Sequence, residues 1–194
     1  MTQVLAPTPL VVEQIDRALA ATGRIVDGVP DGGWSAPTPC PDWDARALTN
    51  HLVGGLRMFA TAVAGGDGAA GFDVDWLGDD PKAAYRDAAP GASAAWHADG
   101  ALDGVVRISL GPIPGRLAAV VHLTEIVVHG VDLAVATGQE HAVDEDLCAE
   151  LLATMHDMGG IDAFRVPDVF GPEVAPPQDA PASRRLLAYV GRTL

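Results

Sequence analysis

The stretch His122–Gly138, HLTEIVVHGVDLAVATG, decides how the rest of the chain is read. With the residues just before it, it sets Leu117, Val120, Val121, Ile126, Val127, Val128, Val131, Leu133 and Val135 around a helix with few polar positions. No proline falls between Gly115 and Gly138, so no turn loses a donor or meets a ring. Gly138 is the expected stop, because glycine enters the left-handed conformation without a Cβ penalty. At about 100° per residue, His122, Glu125, His129 and Asp132 fall within an arc of about 80°. Two imidazoles and two carboxylates on an otherwise apolar helix cost about 1–3 kcal/mol each if buried without partners. Such a stripe needs partners: water at the surface is one answer and a metal ion is another.

A further imidazole comes from an earlier segment. Ala45 to Ala64 reads as a helix whose inner face is Leu48, Leu52, Gly55, Phe59 and Val63, with His51 on the same side. Alone, His51 is a core histidine satisfied by a backbone carbonyl. Beside Glu125 and His129, four apart on one helix face, it completes a two-imidazole, one-carboxylate set contributed by two helices, a recurring way to build a metal site in a bundle. Three protein ligands leave a position open on the ion, as catalytic zinc sites do. Gly54-Gly55, a turn past His51, costs helix propensity of about 1 kcal/mol per glycine. That cost is accounted for if a helix or a ligand comes close there.

The remaining chain supplies helices and connectors. Leu10 to Val29 is a first helix, ended by Pro30-Asp31-Gly32-Gly33. WSAPTPCPDWD, Trp34 to Asp44, is a stiff connector, and Asp44 is placed to cap the next helix. Gly65 to Gly78 reads as a loop anchored by Phe72 and Trp76. Pro81 to Trp96 is a third helix that Pro90 should kink or break. VVRISL, Val105 to Leu110, reads as a short strand or extended segment followed by GPIPG. Beyond the central helix, Asp144 caps another through about Met158. A proline-rich tail then wanders over the surface before a last short helix at Ser183 to Val190.

Composition narrows the function classes. The 194 residues suffice for a single domain, with a core over about 8–160 and residues 161–194 packed on it. A net charge of −14, with acidic residues scattered, argues against nucleic acid and against anionic membranes. No apolar run approaches the ~20 residues of a membrane span. The N-terminus shows no basic segment before an apolar one, so a cytoplasmic protein is expected. Cys40 and Cys148 form no close metal-type pair. His97, His141 and His156 stand in polar or terminal contexts and are expected to face solvent.

TPCPDWDARALTNHLVGG together with HLTEIVVHGVDLAVATGQ resembles the DinB-like superfamily of metal-binding helical bundles. The likeness is to the actinobacterial branch similar to the N-terminal domain of mycothiol-dependent maleylpyruvate isomerase. It extends over most of the chain, including the FGPEV tail. The resemblance implies a mostly α protein, an up-and-down four-helix bundle, with one divalent ion between helices held at the positions His51, Glu125 and His129. It also implies, for some members, chemistry on a low-molecular-weight thiol. No position matches the isomerase's thiol-binding pocket or its catalytic arginine. Arg57 and Arg86 read as surface residues, and Pro90 falls within a helix that is usually continuous. His122 could be a fourth ligand or an acid/base group, but it is read, like Asp132, as a partner behind the ligands. Asp132 could accept the outer N–H of His129.

Three readings follow: a metal-dependent thiol transferase or isomerase taking a small thiol and a small substrate, a non-catalytic metal-binding sensor or interaction module, and a metal-free bundle with a hydrated stripe. Zinc suits the donor set best, with nickel, iron or manganese as alternatives. The assembly is read as a monomer or homodimer.

Overall fold

The computed structural model describes residues 8–41, 43–68, 74–108, 111–166 and 169–193. Six α-helices dominate them: α1 (Thr8–Gly28), α2 (Ala45–Val63), α3 (Pro81–Trp96), α4 (Gly115–Thr137), α5 (Glu145–Asp157) and α6 (Ala182–Tyr189). Aspartates start three of them. Asp44, Asp80 and Asp144 accept the backbone N–H of Ala47, Ala83 and Leu147 at 2.8, 2.9 and 2.9 Å, each bond satisfying an orphan donor of a first turn. Gly138 ends α4 at φ 69°, a left-handed geometry that favours glycine.

The four long helices pack as a bundle in which α1 and α2 each touch both α3 and α4. Thus α1 lies diagonally opposite α2, and α3 opposite α4. A diagonal step must cross the end of the bundle, and the connections before α2 and before α4 make it. The first is the stiff proline-rich segment, held by the bonds from Trp43 N–H to the Cys40 carbonyl and from Thr38 Oγ1 to the Trp43 carbonyl. The second carries an antiparallel ribbon of β1 (Val105–Ile108) and β2 (Gly111–Pro114), with Val106 opposite Ile113. The sequence marked only the first of these strands. Pro112 and Pro114 sit at alternate positions, so their missing donors fall on one edge of a two-stranded ribbon, where a proline is tolerated.

Helix α4 is the centre of the molecule. It contacts α1, α2, α5, α6 and the ribbon, which is why its sequence is apolar on nearly every side. Against the expectation that no apolar run reaches membrane length, Gly115–Ala136 is long and apolar enough to cross one, but 83% of that window is buried in the bundle. Long as it is, this is a core helix.

Another expectation changes. Pro90 does not break α3, which runs unbroken from Pro81 to Trp96. Pro90 and Arg86, whose carbonyl loses its partner, are both exposed residues, so the missing bond falls on the outer side of the helix. The tail ends in a short helix. Its helix α6 buries Leu186 and Leu187 completely and packs against α4 and α5. Of the two loop anchors, Trp76 packs against α2 at Gly54, while Phe72 lies outside the described residues.

Candidate metal centre

Neighbouring helices α2 and α4 bring His51, Glu125 and His129 together. One ligand atom from each lies within 4.8 Å of the other two. His51 Nε2 is 2.9 Å from Glu125 Oε2, and His129 Nε2 is 3.5 Å from the same oxygen. Ligands about 2.0–2.1 Å from a tetrahedral ion stand roughly 3.3–3.4 Å apart, so these separations suit a single small divalent cation. The donor chemistry, two imidazoles and a carboxylate, fits as well.

The surroundings graduate from open to dry. Glu125 keeps a third of its side-chain surface and His51 about a fifth, while His129 keeps 8%. Trp43, one residue ahead of the Asp44 cap, covers both rings, with centroids 4.5 Å from His51 and 5.6 Å from His129. The two glycines of α2 differ. A Cβ on Gly54 would lie 3.0 Å from the Trp76 indole, so this glycine admits a tryptophan and not a ligand. A Cβ on Gly55 would meet nothing within 4 Å, which leaves room one turn past His51.

Electrostatics tie the three groups into one unit. Burial would raise the Glu125 carboxyl, but hydrogen bonds and charges from His129 and His51 hold it well below the usual carboxylate range. Burial would likewise lower His129, yet hydrogen bonds to Asp132 and Glu125, with their charges, raise it to about 9. Asp132 is fully buried, and its Oδ2 lies 3.2 Å from His129 Nδ1, the nitrogen turned away from Glu125.

His122 stands apart from this cluster. Its ring stacks on Phe59 at 4.2 Å and 14°, and its Nδ1 accepts the indole N–H of Trp96 at 2.8 Å. Indole nitrogen only donates, so the proton of a neutral His122 resides on Nε2. Burial lowers its pKa to about 3 against the raising charge of Glu125. Nε2 is buried with no hydrogen-bond partner among the described residues.

Arg57 is exposed and lies over Trp76, and Arg86 pairs with Asp27 at the surface. His97, His141 and His156 are exposed. Cys148 is buried and its thiol is pushed up to about 12, first by burial and then by Glu145 and Asp144. Three residues around the site escaped the sequence reading: Trp43, Trp96 and Arg192, whose Nε is 3.3 Å from Asp132 Oδ2. Only Trp43 carried a signal, its place beside the cap of the His51 helix.

The sequence model of the mycothiol maleylpyruvate isomerase N-terminal domain matches residues 15–134, the segment holding all three clustered ligand atoms. The chain belongs to this family. Among its relatives are two proteins of Mycobacterium tuberculosis strains, the uncharacterized proteins MT0763 and Rv0738. Each is 31% identical over 187 residues, covering 96% of this chain and 98% of the relative. Solved structures of mycothiol-dependent maleylpyruvate isomerase share the fold: one superposes with a TM-score of 0.58 at 15% identity over 74% of this chain. A mutant of that enzyme gives 0.57 at 12% identity over 66% of this chain. This chain spans 68% and 61% of those two enzyme chains, respectively.

Proposed function

We propose that this protein is a metal-dependent thiol transferase or isomerase that uses a mycothiol-type thiol. The observation that carries the reading is the convergence of His51, Glu125 and His129 under Trp43, beside the space left by Gly55. The two imidazoles would hold a divalent ion, zinc by preference, and Glu125 would offset part of its charge. The ion, when bound, supplies a Lewis acid that brings the pKa of a thiol toward neutrality. Because His122 is committed to Trp96, three protein ligands remain, a number that leaves the ion open to a small molecule. Family membership supplies the thiol: the related isomerases are named for their dependence on mycothiol.

The test is calorimetric titration of the zinc-loaded protein with mycothiol, bacillithiol, glutathione and cysteine, beside His51→Ala. Mycothiol is expected to bind the wild-type protein and not the variant. If no thiol binds at millimolar concentration, or the variant binds equally well, the non-catalytic metal-binding module becomes the better description.

A further inference from the structure

Arg192 lies far beyond residues 15–134, the segment that the family's sequence model matches. Its side chain is 10% exposed, and its Nε stands 3.3 Å from Asp132 Oδ2, the same oxygen that faces His129 Nδ1 at 3.2 Å. Asp132 is completely buried, and its other oxygen, Oδ1, makes no hydrogen bond among the described residues. A carboxylate without water is costly unless a cation or strong donors compensate it. Arg192 is the arginine that does so.

The local fold delivers this side chain. After α6, the Gly191 N–H bonds the Ala188 carbonyl at 3.1 Å and the Arg192 N–H bonds the Leu187 carbonyl at 2.9 Å. This paired closure, with a left-handed residue in the middle, is a Schellman motif. Gly191 has φ 88°, and a Cβ there would lie 2.6 Å from the Gly171 backbone. Only glycine allows both the turn and the contact. The residue that follows is thereby projected from the end of α6 onto α4.

We infer that Arg192 is a positioning residue of the metal centre. It anchors Asp132, which in turn orients His129 with Nδ1 toward the carboxylate and Nε2 toward Glu125. The inference rests on the reading that His51, Glu125 and His129 hold a divalent ion. Partners behind a ligating imidazole fix its tautomer and ring orientation, and losing one weakens metal binding about 10- to 100-fold. Here the chain of support has one more link, and that link comes from the C-terminal tail.

The experiment uses the full chain as wild type, Arg192→Met, Arg192→Lys and His51→Ala. Zinc affinity is measured by competition with a chromophoric chelator. The imidazole Nδ1–H of His129 is followed by NMR in zinc-loaded, 15N-histidine-labelled protein, and the metal-free forms are melted in parallel. Arg192→Met is expected to bind zinc about 10-fold more weakly and to lose the slowly exchanging His129 N–H. Arg192→Lys should recover part of both. A purely structural tie would lower the melting temperature of the metal-free protein and leave affinity and resonance unchanged, which overturns the inference while the metal reading stands. A wild-type protein that binds no zinc, nickel, iron or manganese overturns the metal reading and this inference with it. Should Arg192→Met fail to fold, Arg192→Gln, which keeps a donor but not the charge, is judged by the same criteria.

Discussion

His122 shows what a single buried side chain does to stability. In the folded protein its pKa is about 3, lowered mainly by burial and raised in part by Glu125. In the unfolded chain it is about 6.5. Below 6.5 the unfolded state takes up a proton that the folded state refuses, so stability falls as pH drops from about 6.5 toward 3. The slope for one such group is about 1.4 kcal/mol per pH unit. Glu125, held well below the carboxylate range, adds its own loss mainly below about 4.5, where the unfolded carboxyl is more than half protonated. His129 acts at the other end. Its raised pKa contributes stability that is complete below about 6.5 and lost as pH rises through 9. Between 6.5 and 4.5, His122 is therefore the one of these three that weakens the fold. His122→Gln retains an acceptor for Trp96 and removes the titration. Urea unfolding of the metal-free protein at pH 6.5, 5.5 and 4.5 should show a shallower decline for the variant. Equal slopes would show that His122 does not stay neutral in the folded state.

At the scale of elements, α4 depends on how closely α1 approaches it. Gly130 on α4 is buried, and a Cβ there would collide with Thr22 Oγ1 on α1 and come within 3.3 Å of Thr22 Cβ. Thr22 in turn donates its hydroxyl to the Ile126 carbonyl at 3.2 Å. Gly130→Ala gains about 1 kcal/mol of helix propensity, but overpacking a close interface costs typically about 1–3 kcal/mol. A net loss of roughly 1 kcal/mol is expected in chemical unfolding. Thr22→Ala should restore much of it in the Gly130→Ala background, since the two positions share one contact. An additive double mutant would place the cost elsewhere. Helix α3 makes the complementary point: its proline lies on an exposed face, away from any such close contact.

The whole molecule decides how far the ion matters for folding. The apolar cluster takes residues from all six helices and β1, including Ile15, Leu48, Phe59, Leu123, Ile126 and Leu186. A core of that reach is expected to hold the bundle without help from a metal. An ion bound at 100 times its dissociation constant adds only about 2.7 kcal/mol. For a domain of this size that is roughly a 5–10 °C shift in melting temperature. Calorimetry before and after chelation should show such a shift with the cooperative transition retained. Loss of the transition would make the ion structural, as in small zinc-dependent folds.

The sequence by itself determined the helices and the three clustered side chains. His51, Glu125 and His129 were legible because helical periodicity turns spacing into direction: two of them are four apart on one face, and the third lies on the inner face of an amphipathic helix. Caps at Asp44 and Asp144 were legible for the same local reason. Tertiary structure alone decided the rest. Nothing near Trp96 in the chain says that its indole meets His122, and nothing near Arg192 says that it reaches Asp132. Those pairings follow from the diagonal order of the bundle and the return of the tail onto α4. They are set by which apolar faces are left to cover, a property of the assembled core and not of any local window.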